Sequence, residues 1–253
     1  MLQNIKYILT QIEAKNQIKI LYACETGSRA WGFPSPDSDY DIRFVYVHER
    51  DWYLSLGQPK DTVEIMDGDL DITGWDLKKC LMLLKKSNAP LIERFQSPIE
   101  YYAAPEFKEA FQKLIVTYYS PIAVFYHHHS LAKKIWEELK DKEEFKLKSF
   151  FYLLRSLLSC NWIIKDNTVL PMDIEGLMQY TDEGHANQLR KLIVLKATVG
   201  EKYLHQKDEE LNSWITNLFE YAEAGKQNLQ TNKADMNMLN EFFLKTLYAN
   251  AHH

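Results

Sequence analysis

The chain has 253 residues, 46% hydrophobic and 13% aromatic, which is ample for one large domain or two modest ones and too apolar for a disordered tract. Its net charge is −5, and acids slightly outnumber bases on both sides of residue 103, which excludes a broad basic surface for gripping a nucleic-acid backbone. Three scattered cysteines, Cys24, Cys80 and Cys160, suit a reducing cytoplasm and supply neither a disulfide frame nor a zinc pair.

From Met1 to Lys19 polar and apolar residues alternate in helical period and include Glu13, which fits a helix and not a signal peptide. No apolar stretch approaches membrane-spanning length. Residues 18–24 read as a short buried strand, followed by Gly27-Ser28, a turn that would present backbone N–H groups and a hydroxyl to an anion. The next strand covers 40–47 and is entered through Asp37-Ser38-Asp39. Side chains two apart share a face, so Asp39 and Asp41 project together with Arg43. Two neighbouring carboxylates need positive charge between them, and Mg²⁺ meets that need because it takes one or two carboxylates and completes its octahedron with water and phosphate oxygens. Arg43 has two open uses, a phosphate contact or an ion pair with an acid. Arg29, directly after the Gly-Ser turn, is better placed for a triphosphate, which guanidinium meets bidentately.

Residues 62–66 and 69–73 read as a hairpin around Asp67-Gly68, a pair suited to a type I′ turn. Asp71, flanked by Leu70 and Ile72, is an acid inside an apolar strand, where an unpaired charge is costly; it becomes the third candidate ligand. Lys78 and Lys79 open a helix after Trp75, with surface exposure the default and a phosphate contact the alternative. Trp31 and Trp75 read as packing ahead of base stacking. Asn88 is an N-cap before Pro90 and Leu91.

Beyond Pro98 and Pro105 the pattern turns helical, with candidate helices over 106–118, 122–139, 143–164, 173–180, 185–199, 209–224 and 234–249. The expected architecture is α+β: a mixed-sheet catalytic domain over 1–103, then an all-helical domain over 104–253 on the substrate side. Arg155 sits among Phe151, Leu154, Leu157 and Leu158 and needs a partner, a structural carboxylate or a substrate phosphate. The triplet His127-His128-His129 cannot converge on one ion, because consecutive helical side chains point about a hundred degrees apart.

Other readings of the acidic run fail on their own terms. Asp37, Asp39 and Asp41 fit the first ligands of a calcium loop, but Ile42 and His48 stand where glycine and glutamate are required. Gly27 and Gly32 match neither a P-loop nor a dinucleotide fingerprint.

The spacing of Gly27-Ser28, Asp39-x-Asp41 and a later Asp71 strand resembles the signature of the DNA polymerase β nucleotidyltransferase superfamily. Longer strings, Gly-Ser-Arg-Ala-Trp-Gly from Gly27, Ser-Asp-Tyr-Asp-Ile-Arg from Ser38, Gly74-Trp75-Asp76-Leu77-Lys78-Lys79 and Lys86-Ser87-Asn88-Ala89-Pro90, resemble the bacterial and phage group that includes RNA ligase-associated nucleotidyltransferases. The resemblance is close over about residues 18–100. It implies two Mg²⁺ or Mn²⁺ ions on Asp39, Asp41 and Asp71, and an NTP, ATP foremost, held by Gly27 and Ser28, with Arg29, Ser38 and Arg43 beside them. The implied reaction is transfer of a nucleoside monophosphate to an acceptor hydroxyl with release of pyrophosphate. An RNA end is the acceptor the family association favours; a small molecule or protein hydroxyl, and a catalytically silent regulatory module, are the alternatives. Arg155 and Lys78 are the candidates for the acceptor side, and the expected location is the cytoplasm.

Overall fold

The computed structural model describes residues 2–57, 60–231 and 235–250. The chain divides into two compact units: Met1–Gly27 with Asp39–Tyr118 and Lys233–His253, and Ser28–Ser38 with Tyr119–Asn232.

The first unit is built on a five-stranded sheet. β1 (Ile18–Thr26) and β2 (Tyr40–His48) are antiparallel, with Thr26 opposite Asp41. β3 (Thr62–Asp67) and β4 (Leu70–Asp76) form the hairpin, β4 runs parallel to β2, and β5 (Glu100–Ala103) covers the free edge of β1. The order is β3-β4-β2-β1-β5, so the sheet is mixed as expected. Alternation along the strands assigns the two faces different jobs. Ile42, Phe44, Tyr46 and Ile72 meet Ile5, Leu9 and Ile12 of α1 (Leu2–Asn16), whose helical spacing makes one apolar stripe. Each such side chain contributes roughly 1.5–3 kcal/mol on burial. The opposite face carries Asp41 and Arg43.

The hairpin turn is displaced by one residue from its predicted place. Asp67 pairs with Leu70, leaving Gly68-Asp69 as the loop, and of these only Gly68 has positive φ (57°), so the type I′ turn, which needs it twice, does not form.

α4 (Leu77–Lys85) and α5 (Ala89–Arg94) follow the sheet, the latter capped by Asn88, which accepts the Leu91 N–H at 3.1 Å. α6 (Pro105–Tyr118) and α12 (Met236–Ala249) group with the sheet and not with the later helices, so a single cut at residue 103 does not describe the division. The reason is aromatic packing: Phe111 stacks on Phe95 and, with Phe107, meets Phe242. The predicted start of the last helix at Ala234 lies outside the described residues; the helix begins behind Asp235, which caps it.

The second unit holds α7 (Pro121–Leu139), α8 (Leu147–Asp166), α9 (Ile174–Leu177), α10 (Glu183–Lys196) and α11 (Glu209–Gly225). α8 is its spine, with Phe151, Leu154, Leu158 and Ile163 buried. Asp173, Asp182 and Asp208 cap α9, α10 and α11 through side-chain oxygens. The unit is not all-helical. The predicted helix over 143–164 begins as a strand, β6 (Glu144–Lys146), paired antiparallel with β7 (Leu204–Gln206). Pairing satisfies backbone groups that a helix start leaves open, and it lays Phe145 on Phe150 with ring centroids 5.1 Å apart.

Among the described residues no helix is long and apolar enough to cross a membrane. All three cysteines are free and buried, and burial pushes the Cys24 and Cys80 thiols up to about 12.

His128 on α7 is 1% exposed, and burial, with Arg155 and His127 adding to it, holds its imidazole well below the ordinary value of 6.5. A depressed folded value means the unfolded chain binds the proton first, so this group's stabilisation is complete above about pH 6.5 and falls as pH drops below it. Melting temperatures from pH 8 to 5 are expected to decline less steeply in His128→Leu than in the parent.

Candidate active site

β2 and β4 run in parallel register with Asp41 directly opposite Asp71. Two carboxylates at that spacing repel each other, and Arg43, two residues on from Asp41 and hence on its face, lies between them. Arg43 Nη2 donates to Asp71 Oδ2 at 2.7 Å and to Asp41 Oδ1 at 3.1 Å, and Nη1 donates to the Asp71 carbonyl at 2.8 Å. Of the two uses open to Arg43 in the sequence, the structure takes the ion pair.

Asp39 precedes β2 and is exposed. Among the described residues no three His, Cys, Asp or Glu side chains are grouped to hold a metal, so Asp41 and Asp71 face each other without Asp39 joining them. The neighbouring Tyr40 N–H donates to the Asp69 carbonyl at 2.8 Å, tying the entrance of β2 to the hairpin turn.

Gly27 follows β1 directly with φ +62°, and its backbone lies against the Asp41 carboxylate: a Cβ there would stand 2.0 Å from Asp41 Oδ2. The glycine of the motif is thus needed twice, for its left-handed conformation and for the close approach.

Glu25, two residues earlier, is a candidate site residue that the sequence reading missed. It is fully buried; Oε1 accepts the Asp41 N–H at 2.6 Å, and Oε2 accepts the Tyr101 hydroxyl. Its own carbonyl accepts Ser97 Oγ–H at 2.7 Å. A buried carboxylate must be hydrogen-bonded to be tolerated, and here those bonds fix the backbone of β2 at the residue that carries Asp41. The signal was present, because an acid closing an apolar strand is the feature that singled out Asp71.

Ser28, Arg29, Ser38 and Arg155 belong to the second unit. Ser28 is buried in the single helical turn α2 (Gly27–Ala30), its carbonyl accepting the Phe33 N–H at 3.0 Å. Arg29 Nη2 donates to the Ser38 carbonyl at 2.6 Å. The Ser38 hydroxyl accepts the Ser35 N–H at 2.9 Å and donates to Glu201 Oε1 at 3.1 Å. Arg155 is 4% exposed; its Nε and Nη2 donate to the Met172 carbonyl at 3.1 and 3.0 Å, and its guanidinium lies 4.5 Å from the Trp31 ring centroid. That is a buried side chain bracing Trp31 and the Met172 backbone.

Lys78 is not brought to the carboxylates. It follows the far end of β4, about 16 Å along the strand from Asp71, and lines a cavity of about 470 Å³ with Trp52, Tyr53, Asp61 and Lys86. Trp75, weighed as a base-stacking surface, carries Arg94 at 3.3 Å from its ring centroid.

Residues 1–245 match the model of the family described as RlaP, RNA repair pathway DNA polymerase beta family. The chain is 40% identical over 252 residues to the uncharacterized protein YcgL of Bacillus subtilis (strain 168), an alignment covering 98% of this chain and 96% of that one. With almost its whole length matched, the chain belongs to the RNA repair pathway DNA polymerase beta family.

Proposed function

We propose that the protein transfers a nucleoside monophosphate from an NTP, ATP foremost, to an acceptor hydroxyl on an RNA end, releasing pyrophosphate. The observation that carries this reading is the Asp41–Asp71 pair on adjacent parallel strands, already sharing one positive group, with the Gly27 backbone against it. A donor set that holds a guanidinium between two carboxylates also suits a divalent cation. Asp41 and Asp71 would hold Mg²⁺ or Mn²⁺; the family motif adds Asp39, which would have to turn toward the pair to complete a two-ion site. The metal, when bound, neutralises charge on the attacking and leaving oxygens of an in-line displacement at the α-phosphorus.

The chain's own residues do the rest. Asp71 takes the proton of the acceptor hydroxyl. Glu25 keeps Asp41 from drifting by holding its N–H. Arg43, displaced from its carboxylates by a bound cation, would be placed to meet phosphate, the second use that its position allows. Positioning and electrostatics account for most of what such a transfer requires of a protein.

Arg43 and the metal compete for the same oxygens. Arg43→Gln is therefore expected to tighten Mn²⁺ binding by about tenfold, because two facing carboxylates left without their cation recruit another; titration followed by electron paramagnetic resonance checks it. Unchanged or weaker Mn²⁺ affinity would separate Arg43 from the metal site.

The net charge of −5 gives one reason to keep a small molecule or protein hydroxyl as the second acceptor class. Pyrophosphate release from each of the four NTPs with Mg²⁺ or Mn²⁺, across RNA 3′ and 5′ ends and non-nucleic hydroxyls, tests the reading. Release that rises only with RNA ends supports it. No release with any acceptor sinks it.

A further inference from the structure

The segment Ser28–Ser38, which holds the candidate nucleotide residues Ser28 and Arg29 and leads directly into Asp39, is fastened by charged side chains more than a hundred residues away in sequence. Glu201, in the turn after α10, is the hub. Its Oε1 accepts the Ser38 hydroxyl at 3.1 Å, its Oε2 accepts Lys148 Nζ from α8 at 2.6 Å, and its own N–H donates to Asp37 at 3.0 Å. Beside it Lys196, the last residue of α10, is 1% exposed and donates to Ser35 Oγ at 2.8 Å.

Burial holds the Lys196 ammonium below its ordinary value, and Glu201 and Asp37 oppose that shift. Lys196 and Glu201 thus meet three residues, Ser35, Asp37 and Ser38, of a loop with no regular structure of its own, and Lys148 pairs with Glu201 behind them. Such an investment of buried and half-buried charge is costly unless every group is paired. Here Lys148 compensates Glu201, and Glu201 and Lys196 both end on the loop.

The consequence runs along the loop to its other end. Arg29 donates to the Ser38 carbonyl, so the residue that Glu201 fixes is the one that orients Arg29. Nothing in this network belongs to the sheet that carries Asp41 and Asp71.

We propose that Glu201 is a positioning residue for the nucleotide, acting through Ser38 and Arg29 and steadied by Lys148 and Lys196. This inference rests on the nucleotidyltransferase reading. It gives the helical unit a role on the NTP side of the reaction, distinct from acceptor binding.

The experiment is calorimetry of Mg-ATP binding to the full-length protein, together with separate KM values for NTP and acceptor, in Glu201→Ala, Glu201→Gln and Lys148→Met. Glu201→Ala is expected to weaken NTP binding and raise its KM by about tenfold while the acceptor KM stays within about twofold. Glu201→Gln retains an oxygen for the Ser38 hydroxyl and recovers most of the loss, and Lys148→Met adds little once Glu201 is alanine. Wild-type NTP affinity in Glu201→Ala overturns the positioning role, as does an equal rise in both KM values with no recovery in Glu201→Gln, the pattern of a merely loosened fold. If the parent protein binds no NTP, the nucleotidyltransferase reading itself falls and this inference with it, an outcome distinguishable from the others in the first titration.

Discussion

Asp41→Asn is expected to lower nucleotidyl transfer by about a thousandfold or more without unfolding the protein, and Asp39→Asn to do the same. Asparagine keeps the shape of the side chain, and one oxygen can still accept from Arg43 Nη2, which stands 3.1 Å from Asp41 Oδ1. What is lost is a unit of negative charge at a proposed metal ligand, and metal stabilisation of an in-line transition state amounts to several kcal/mol. Asp39 is exposed, so its replacement is expected to leave melting temperature unchanged. The measurement is single-turnover transfer at saturating Mg²⁺ and NTP, with melting temperature and Mn²⁺ affinity on the same preparations. Turnover near the parent's in either variant would remove that carboxylate from the site. Asp71→Ala is the contrasting case: as the residue on the acceptor side, it should leave Mg-NTP affinity within a few-fold while chemistry stops.

Much of this arrangement was legible before any coordinates, and the reason is the two-residue period of strands. Alternation placed Asp39, Asp41 and Arg43 on one face, and a charge within an apolar run marked Asp71; β2 and β4 bring Asp41 opposite Asp71, whereas β2 begins only at Tyr40, so the strand period does not carry Asp39 to them. One helix start was legible from its capping residue, Asn88, and the predicted start at Glu209 matches α11, whereas α10 begins two residues before the predicted His185. What period and capping cannot reveal is pairing between distant segments. β6 looked like the first turn of a helix because its partner β7 lies some sixty residues on. The grouping of α6 and α12 with the sheet depends on Phe107, Phe111 and Phe242 meeting, which no local pattern encodes. Arg155 was correctly marked as a charge in need of company, yet a backbone carbonyl and the Trp31 ring supply it, partners that sequence spacing does not identify. Glu25 is different, because the rule that found Asp71 applied to it equally.

Gly27→Ala is expected to reduce transfer by about a hundredfold, and a second glycine isolates the cause. Alanine at position 27 meets two penalties: φ of +62°, which costs a residue with a Cβ roughly 1–2 kcal/mol, and a Cβ 2.0 Å from Asp41 Oδ2 and 2.8 Å from its Cγ. The second contact cannot persist, so the Asp41 carboxylate must swing away. It can do so only by breaking from Arg43 and leaving its place opposite Asp71. Gly68, in the turn between β3 and β4, has nearly the same φ, +57°, with nothing within 4 Å of an added Cβ. Gly68→Ala therefore carries the backbone strain without the collision. Both variants are expected to melt a few degrees lower, since 1 kcal/mol shifts the midpoint of a domain of roughly 150–250 residues by about 2–4 °C. Only Gly27→Ala is expected to lose transfer and Mn²⁺ affinity, whereas Gly68→Ala keeps both. If the two variants lose activity in proportion to their melting temperatures, the close approach of Gly27 to Asp41 is a matter of packing and not of catalysis.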